Sequence, residues 1–188
     1  MKKQEFESFS EKDRMNRVLE GKAFFASVHT PNYSAAKKFK ADPAFMISLG
    51  LEGAELEKAK SYGLKIREAD KYIPMPYVKL QRKVKAGKTP DEVKPLVVDS
   101  MQKKVPASIL IGNESKVICK FGTYWADTAG GTVGNTLFKV QIRELVPFTP
   151  SEKGFVKDEG GFKIPDASPE ADQPTFDDDD GFEEPKSE

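Results

Sequence analysis

The chain has 188 residues, 30 Lys and Arg against 30 Asp and Glu, and 38% hydrophobic residues. That length suits one domain of about 150 residues with a polar remainder, and no run of about 20 apolar residues offers a membrane span. The zero net charge hides an asymmetry: residues 151–188 carry 13 acidic and 4 basic side chains, a net of −9, which leaves residues 1–150 at +9.

One cysteine, Cys119, excludes an internal disulfide and a cysteine-based zinc site, and the lone His29 leaves no histidine-rich metal cluster. No metal and no cofactor is therefore expected. The opening residues 1–7 turn acidic at once and lack an apolar segment, so no secretory signal is expected and a cytoplasmic setting is.

Ser10-Glu11-Lys12-Asp13 has the form of a capping box and predicts a short helix over about 11–19, ended by Gly21. Residues 22–30 read as a first strand stopped by Pro31-Asn32, and 44–51 as a second. Residues 53–61 are rich in helix formers and stop at Gly63. Residues 77–84 alternate, with Val78 and Leu80 inward and Tyr77, Lys79, Gln81 and Lys83 outward. Residues 86–90 read as a loop and 93–98 as a short strand.

Residues 116–125 alternate again. Val117, Cys119 and Phe121 share one face, and Lys116, Ile118, Lys120, Gly122 and Tyr124 the other. Residues 130–135 read as a flexible glycine-rich connection. Residues 136–146 read as the longest strand, with Phe138, Val140 and Ile142 inward and Lys139, Gln141 and Arg143 outward. Five or six strands, with one helix between the second and third, predict a mainly β fold, a small closed or partly closed barrel. Beyond Pro150, Gly, Pro, Asp, Glu and Ser dominate. Such a stretch cannot bury enough surface to offset an ordering cost of about 1–2 kcal/mol per residue, so 151–188 reads as a flexible acidic tail.

The outward set Tyr77, Lys79, Lys83, Lys116, Lys120, Tyr124, Lys139 and Arg143 would form one basic, aromatic surface if its three strands were neighbours. Single-stranded nucleic acid needs both features, cations for its phosphates and rings for its unstacked bases, each stack worth about 1–3 kcal/mol. Against this stands the plain fact that Lys and Arg point outward on any solvated strand. Trp125, the only tryptophan, follows Tyr124 at a strand end. A lone tryptophan is more often core than platform, but the adjacent Tyr124 and the glycine-rich loop favour exposure. Ala86-Gly87-Lys88-Thr89 is not a phosphate loop, because Arg82 stands where that motif needs glycine. The scattered carboxylates of the body do not suit a metal-dependent nuclease.

The order Leu96-Val97-Val98-Asp99-Ser100, Lys103-Lys104, Gly112-x-x-Ser115-Lys116, Lys120-Phe121, then Tyr124-Trp125 leading to Thr132-Val133-Gly134, resembles the single-stranded DNA-binding proteins of T-odd coliphages. The resemblance covers about residues 90–150 well and 20–89 in outline. It implies an OB-fold-like five-stranded barrel with one helix between strands, followed by a disordered acidic tail. It divides the chain into an N-terminal arm or short helix at 1–20, an OB-fold domain at 21–150 and the tail at 151–188.

It also implies a non-enzymatic protein of the host cytoplasm that binds single-stranded DNA without sequence preference in phage replication and recombination. By matching motifs, Tyr124 and Trp125 correspond to the aromatic segment beside the DNA groove, and Lys103, Lys104, Lys116 and Lys120 to basic positions near it. The acidic tail, here Phe176, Asp177, Asp178, Asp179, Asp180, Phe182, Glu183 and Glu184, would compete with DNA and recruit the replicative DNA polymerase and primase-helicase. Many family members are dimers, which makes a homodimer one implied assembly. The alternative is an acidic-tailed protein-interaction module or chaperone that does not bind DNA directly.

Overall fold

Alternating apolar residues commit most of the body to strands. The computed structural model describes residues 1–84, 88–127 and 131–148, so Phe176, Asp177, Asp178, Asp179, Asp180, Phe182, Glu183 and Glu184 lie outside the described residues. Six strands form one sheet: β1 (Arg17–Ser27), β2 (Ala44–Gly50), β3 (Tyr77–Lys83), β4 (Leu96–Val98), β5 (Lys116–Ala126) and β6 (Thr132–Glu144). Their order is β3-β2-β1-β5-β6-β4, antiparallel throughout except for β4, which runs parallel to β6. The described residues also hold α1 (Lys3–Glu7), α2 (Glu11–Met15), α3 (Tyr33–Phe39), α4 (Gly53–Ser61) and α5 (Pro90–Val93).

The sheet curls until β3 meets β6. The side chain of Asn135 in β6 accepts the Gln81 backbone N–H at 2.9 Å and donates to the Lys79 carbonyl at 3.0 Å. The run β3-β2-β1-β5-β6 is thus a partly open, OB-fold-like barrel joined by one side chain. Its core takes one face of each strand: Leu19, Ile47, Leu49, Val78, Leu80, Val117, Cys119, Phe121, Leu137 and Val140 are all buried. The expected helix between the second and third strands is α4, and Gly63 follows it at φ +73°.

Several boundaries differ from the sequence reading. The helix expected over 11–19 stops at Met15, and β1 begins at Arg17 because residues 17–22 pair with residues 121–116 of β5. Gly21 therefore lies inside a strand. A Cβ there would fall 2.2 Å from the Gly50 carbonyl oxygen, so glycine serves close strand approach and does not end a helix. The strand expected at 93–98 is divided. Pro90–Val93 forms α5, where the Thr89 backbone N–H donates to the Glu92 carboxylate at 2.6 Å, and only Leu96–Val98 remains β.

β6 starts at Thr132, inside the stretch expected to be a flexible connection. Gly134 is strand because the Tyr124 ring covers it: a Cβ there would lie 2.4 Å from the ring. Phe138, expected inward, is the extra residue of a β-bulge. Lys120 pairs with Lys139 and Phe121 with Leu137, so Leu137 takes the core position and Phe138 joins the outer face. The N-terminal segment expected as an arm or short helix forms α1 and α2. Phe6 is fully buried, its ring 5.9 Å from that of Trp125.

Candidate nucleic-acid interface

β3 puts Val78 and Leu80 into the core, which sends Lys79 and Gln81 to the outer side and leaves Lys83 exposed. The connection after α4 brings Arg67 against Tyr77, their backbones exchanging N–H to C=O bonds of 2.8 and 2.9 Å. Arg67 therefore stands beside Lys79. Burial first, and the Arg67 charge second, hold the Lys79 ammonium below the ordinary lysine range.

Two grooves adjoin at the Asn135 joint. One of about 190 Å³ is lined by Lys65, Arg67 and Lys79, and one of about 500 Å³ by Arg82, Lys83, Lys88 and Tyr124; Gln81 and Asn135 line both. Among the described residues, no carboxylate lines either groove. Two carboxylates act on these cations from outside the grooves: Glu92, 3.9 Å from Lys88 on an exposed pair that contributes little, and Asp70, whose charge interacts with that of Arg67. Tyr124 is 46% exposed at the edge of the larger groove. Cations in excess over carboxylates, in partly desolvated clefts beside an exposed ring, can hold a polyanion and stack a base.

The seam unites Lys79, Lys83 and Tyr124, while Tyr77 lines neither groove and its hydroxyl donates to Asp70. It does not unite them with the remaining expected residues, because β3 and β4 lie at opposite ends of the sheet order and β3 meets only the Asn135 region of β6. Lys120 and Lys139 are cross-strand partners on the outer face of β5 and β6. Lys139 also donates to the Gln102 side chain, Lys116 is ion-paired with Glu144 at 2.8 Å, and Arg143 is exposed near the end of β6. Lys103 is exposed in the turn after β4. Lys104 lines a separate groove of about 660 Å³ with His29, Lys94 and Val97.

Trp125 lies on the opposite side of β5 from Tyr124. It packs against the core and Phe6, and its Nε1–H donates to Asp127 at 2.9 Å. Successive strand residues point to opposite faces, so Tyr124 and Trp125 cannot form one platform. Sequence reading missed Lys65, Arg67, Arg82 and Lys88. They sit in loops or at strand ends, where no periodicity marks a face, and only barrel closure assembles them.

Among the described residues, no group of three His, Cys, Asp or Glu side chains comes together as a metal site requires. Burial pushes the Cys119 thiol up to about 12, where it is no nucleophile.

No family model matches the chain, and neither does any curated protein. Solved structures do match. The single-stranded DNA-binding protein of bacteriophage Enc34 in complex with ssDNA is 11% identical, the match covering 74% of this chain and 97% of that one at a TM-score of 0.51. Its C-terminally truncated form is 14% identical over 72% of this chain and 90% of that one, at 0.50. Gp2.5 of bacteriophage T7, a single-stranded DNA-binding protein, is 18% identical over 79% and 99%, at 0.47. The likeness to phage single-stranded DNA-binding proteins suggested by the sequence is thus present in the fold.

Proposed function

We propose that this protein is a non-catalytic binder of single-stranded DNA, held without sequence preference. The observation that carries the reading is the cation-lined double groove along the β3–β6 seam, with no carboxylate among its described lining residues and Tyr124 at its edge. The fold shared with the Enc34 protein in complex with ssDNA supports it. Lys65, Arg67, Lys79, Arg82, Lys83 and Lys88 take phosphates, while Tyr124 and Tyr77 offer rings to bases. Contacts of this kind read charge and π-faces, which every base shares, so no sequence is preferred.

Lys103, Lys120, Lys139 and Arg143 extend the positive field along the outer face. Lys104 and Lys116 act from the flanks. Trp125 acts from beneath, holding the end of β5 that presents Tyr124.

The acidic tail completes the reading. Opposite net charges of −9 and +9 on one chain support competition between residues 166–188 and DNA for the basic body. DNA then frees Phe176, Asp177 to Asp180, Phe182, Glu183 and Glu184 for partner proteins. The resemblance supports the replicative polymerase and primase-helicase as those partners, with replication and recombination as the setting.

The test is fluorescence anisotropy of labelled oligo-dT across a salt series, with a duplex control. The wild type should prefer the single strand, and log affinity should fall with log salt by about 0.7 per phosphate neutralised. Lys79→Glu combined with Lys83→Glu should weaken binding at least about tenfold and flatten that slope by more than one unit. Equal affinity for duplex, or a double variant that binds like wild type, would remove the seam as the site.

A further inference from the structure

Phe25 adopts φ +49°, and its ring is 51% exposed. A bulky aromatic residue in the left-handed region is a true outlier, strained where glycine would not be. The bulge that holds it interrupts the β1–β2 register between Phe24 and Ser27, and the Phe25 N–H is tied to Asn113 Oδ1 at 3.0 Å. Tyr72 is 62% exposed, its ring edge-on to Phe25 with centroids 6.3 Å apart. Lys71 Nζ lies 4.7 Å from the Tyr72 ring centroid.

Packing does not account for this pair. Phe24 and Ile73 are each 2% exposed, and Met75 and the Phe24 ring both crowd the Cβ position that Gly50 lacks. Phe24 and Ile73 are thus already out of solvent beside them. Phe25 and Tyr72, by contrast, stand in solvent. Strain retained at an exposed ring points to a role outside folding.

The position indicates which role. Lys79 pairs with Ser48, and Ser48 with Phe24, across three adjacent strands. Two strand spacings, about 10 Å, therefore separate the row of Lys79 from the bulge. The two regions are also linked through Asp70, which accepts the Tyr77 hydroxyl at 3.0 Å and the Tyr72 N–H at 2.8 Å. The N–H bonds from Tyr72 and Ile73, then the Tyr77 hydroxyl and the Arg67 charge, hold the Asp70 carboxyl below the usual carboxylate range.

We infer that Phe25 and Tyr72 form a second stacking site, which takes a base of the same strand whose phosphates lie along the β3–β6 seam. The inference rests on the reading that the seam binds single-stranded DNA. A base entering over Tyr72 displaces Lys71 from the ring, and the freed ammonium pairs with the adjoining phosphate. The chain of contacts thus runs from Tyr124 across the barrel face to β1.

The test has two arms. First, oligo-dT carrying 5-iodouracil is photocrosslinked to the full-length wild-type protein, and the adducts are mapped by mass spectrometry; adducts at Tyr72 or Phe25 are expected. Second, Tyr72→Ala and Phe25→Gly, the latter compatible with the positive φ, are titrated with labelled oligo-dT beside the Lys79→Glu and Lys83→Glu variant. Each aromatic variant should lose about 5- to 150-fold in affinity with an unchanged salt slope, since a stack is lost and no phosphate contact.

Aromatic variants that bind like wild type, with adducts elsewhere, would overturn the inference while the charge-reversed variant still vindicates the seam. A wild type that binds no oligo-dT would overturn the underlying reading and the inference with it.

Discussion

Lys79 stays charged in an environment that resists the charge. Burial and Arg67 lower its pKa from the ordinary 10.5, and an arriving phosphate favours the protonated form and pulls the pKa back up. Binding therefore takes up protons in the alkaline window between the lowered value and the ordinary one. Affinity for oligo-dT should fall as pH rises through that window, and Lys79→Arg should flatten the fall because guanidinium keeps its proton. Anisotropy titrations at successive pH values measure this directly, and identical profiles for the two proteins would count against Lys79 as a phosphate contact. Some of this scale was legible in sequence. Alternation placed Lys79 outward and Cys119 inward, and the thiol is fully buried. Arg67 beside Lys79 was not legible, because the pairing of Arg67 with Tyr77 joins a loop to a strand without any repeat.

At the level of elements, one side chain closes the barrel. Asn135 serves the Gln81 N–H and the Lys79 carbonyl, two backbone groups with no other strand beside them. Asn135→Ala should destabilise the fold by about 1–3 kcal/mol in urea unfolding, speed amide exchange at Gln81, and weaken oligo-dT binding as the grooves splay. Unchanged exchange at Gln81 would mean that the seam is held by other contacts. The periods of β3 and of β5 up to Phe121 were readable because apolar and polar residues alternate there. β6 was misread at Phe138, since one bulged residue reverses the face of everything before it and no local signal marks the shift. Gly21 misled for a related reason: it looks like a helix stop but meets a requirement set by Gly50, 29 residues away.

For the whole molecule the governing quantity is charge distribution. Deleting residues 166–188 removes most of the acidic tail, and by the proposed competition it should tighten oligo-dT binding, most at low salt where screening is weakest. Unchanged or weaker binding by the truncated protein would discard that competition. The opposite charges, the strand-rich composition and the facing of most strand residues were determined by the sequence alone, because each depends on residue type or on short-range period. Which strands become neighbours was decided only by the tertiary structure. Closure at Asn135 gathers Lys65, Arg67, Arg82 and Lys88 beside Lys79, Lys83 and Tyr124, and separates Lys116, Lys103 and Lys104 from them. The physical reason is that the barrel brings β3 onto β6 through residues 54 and 56 apart in the chain, and nothing local encodes that meeting.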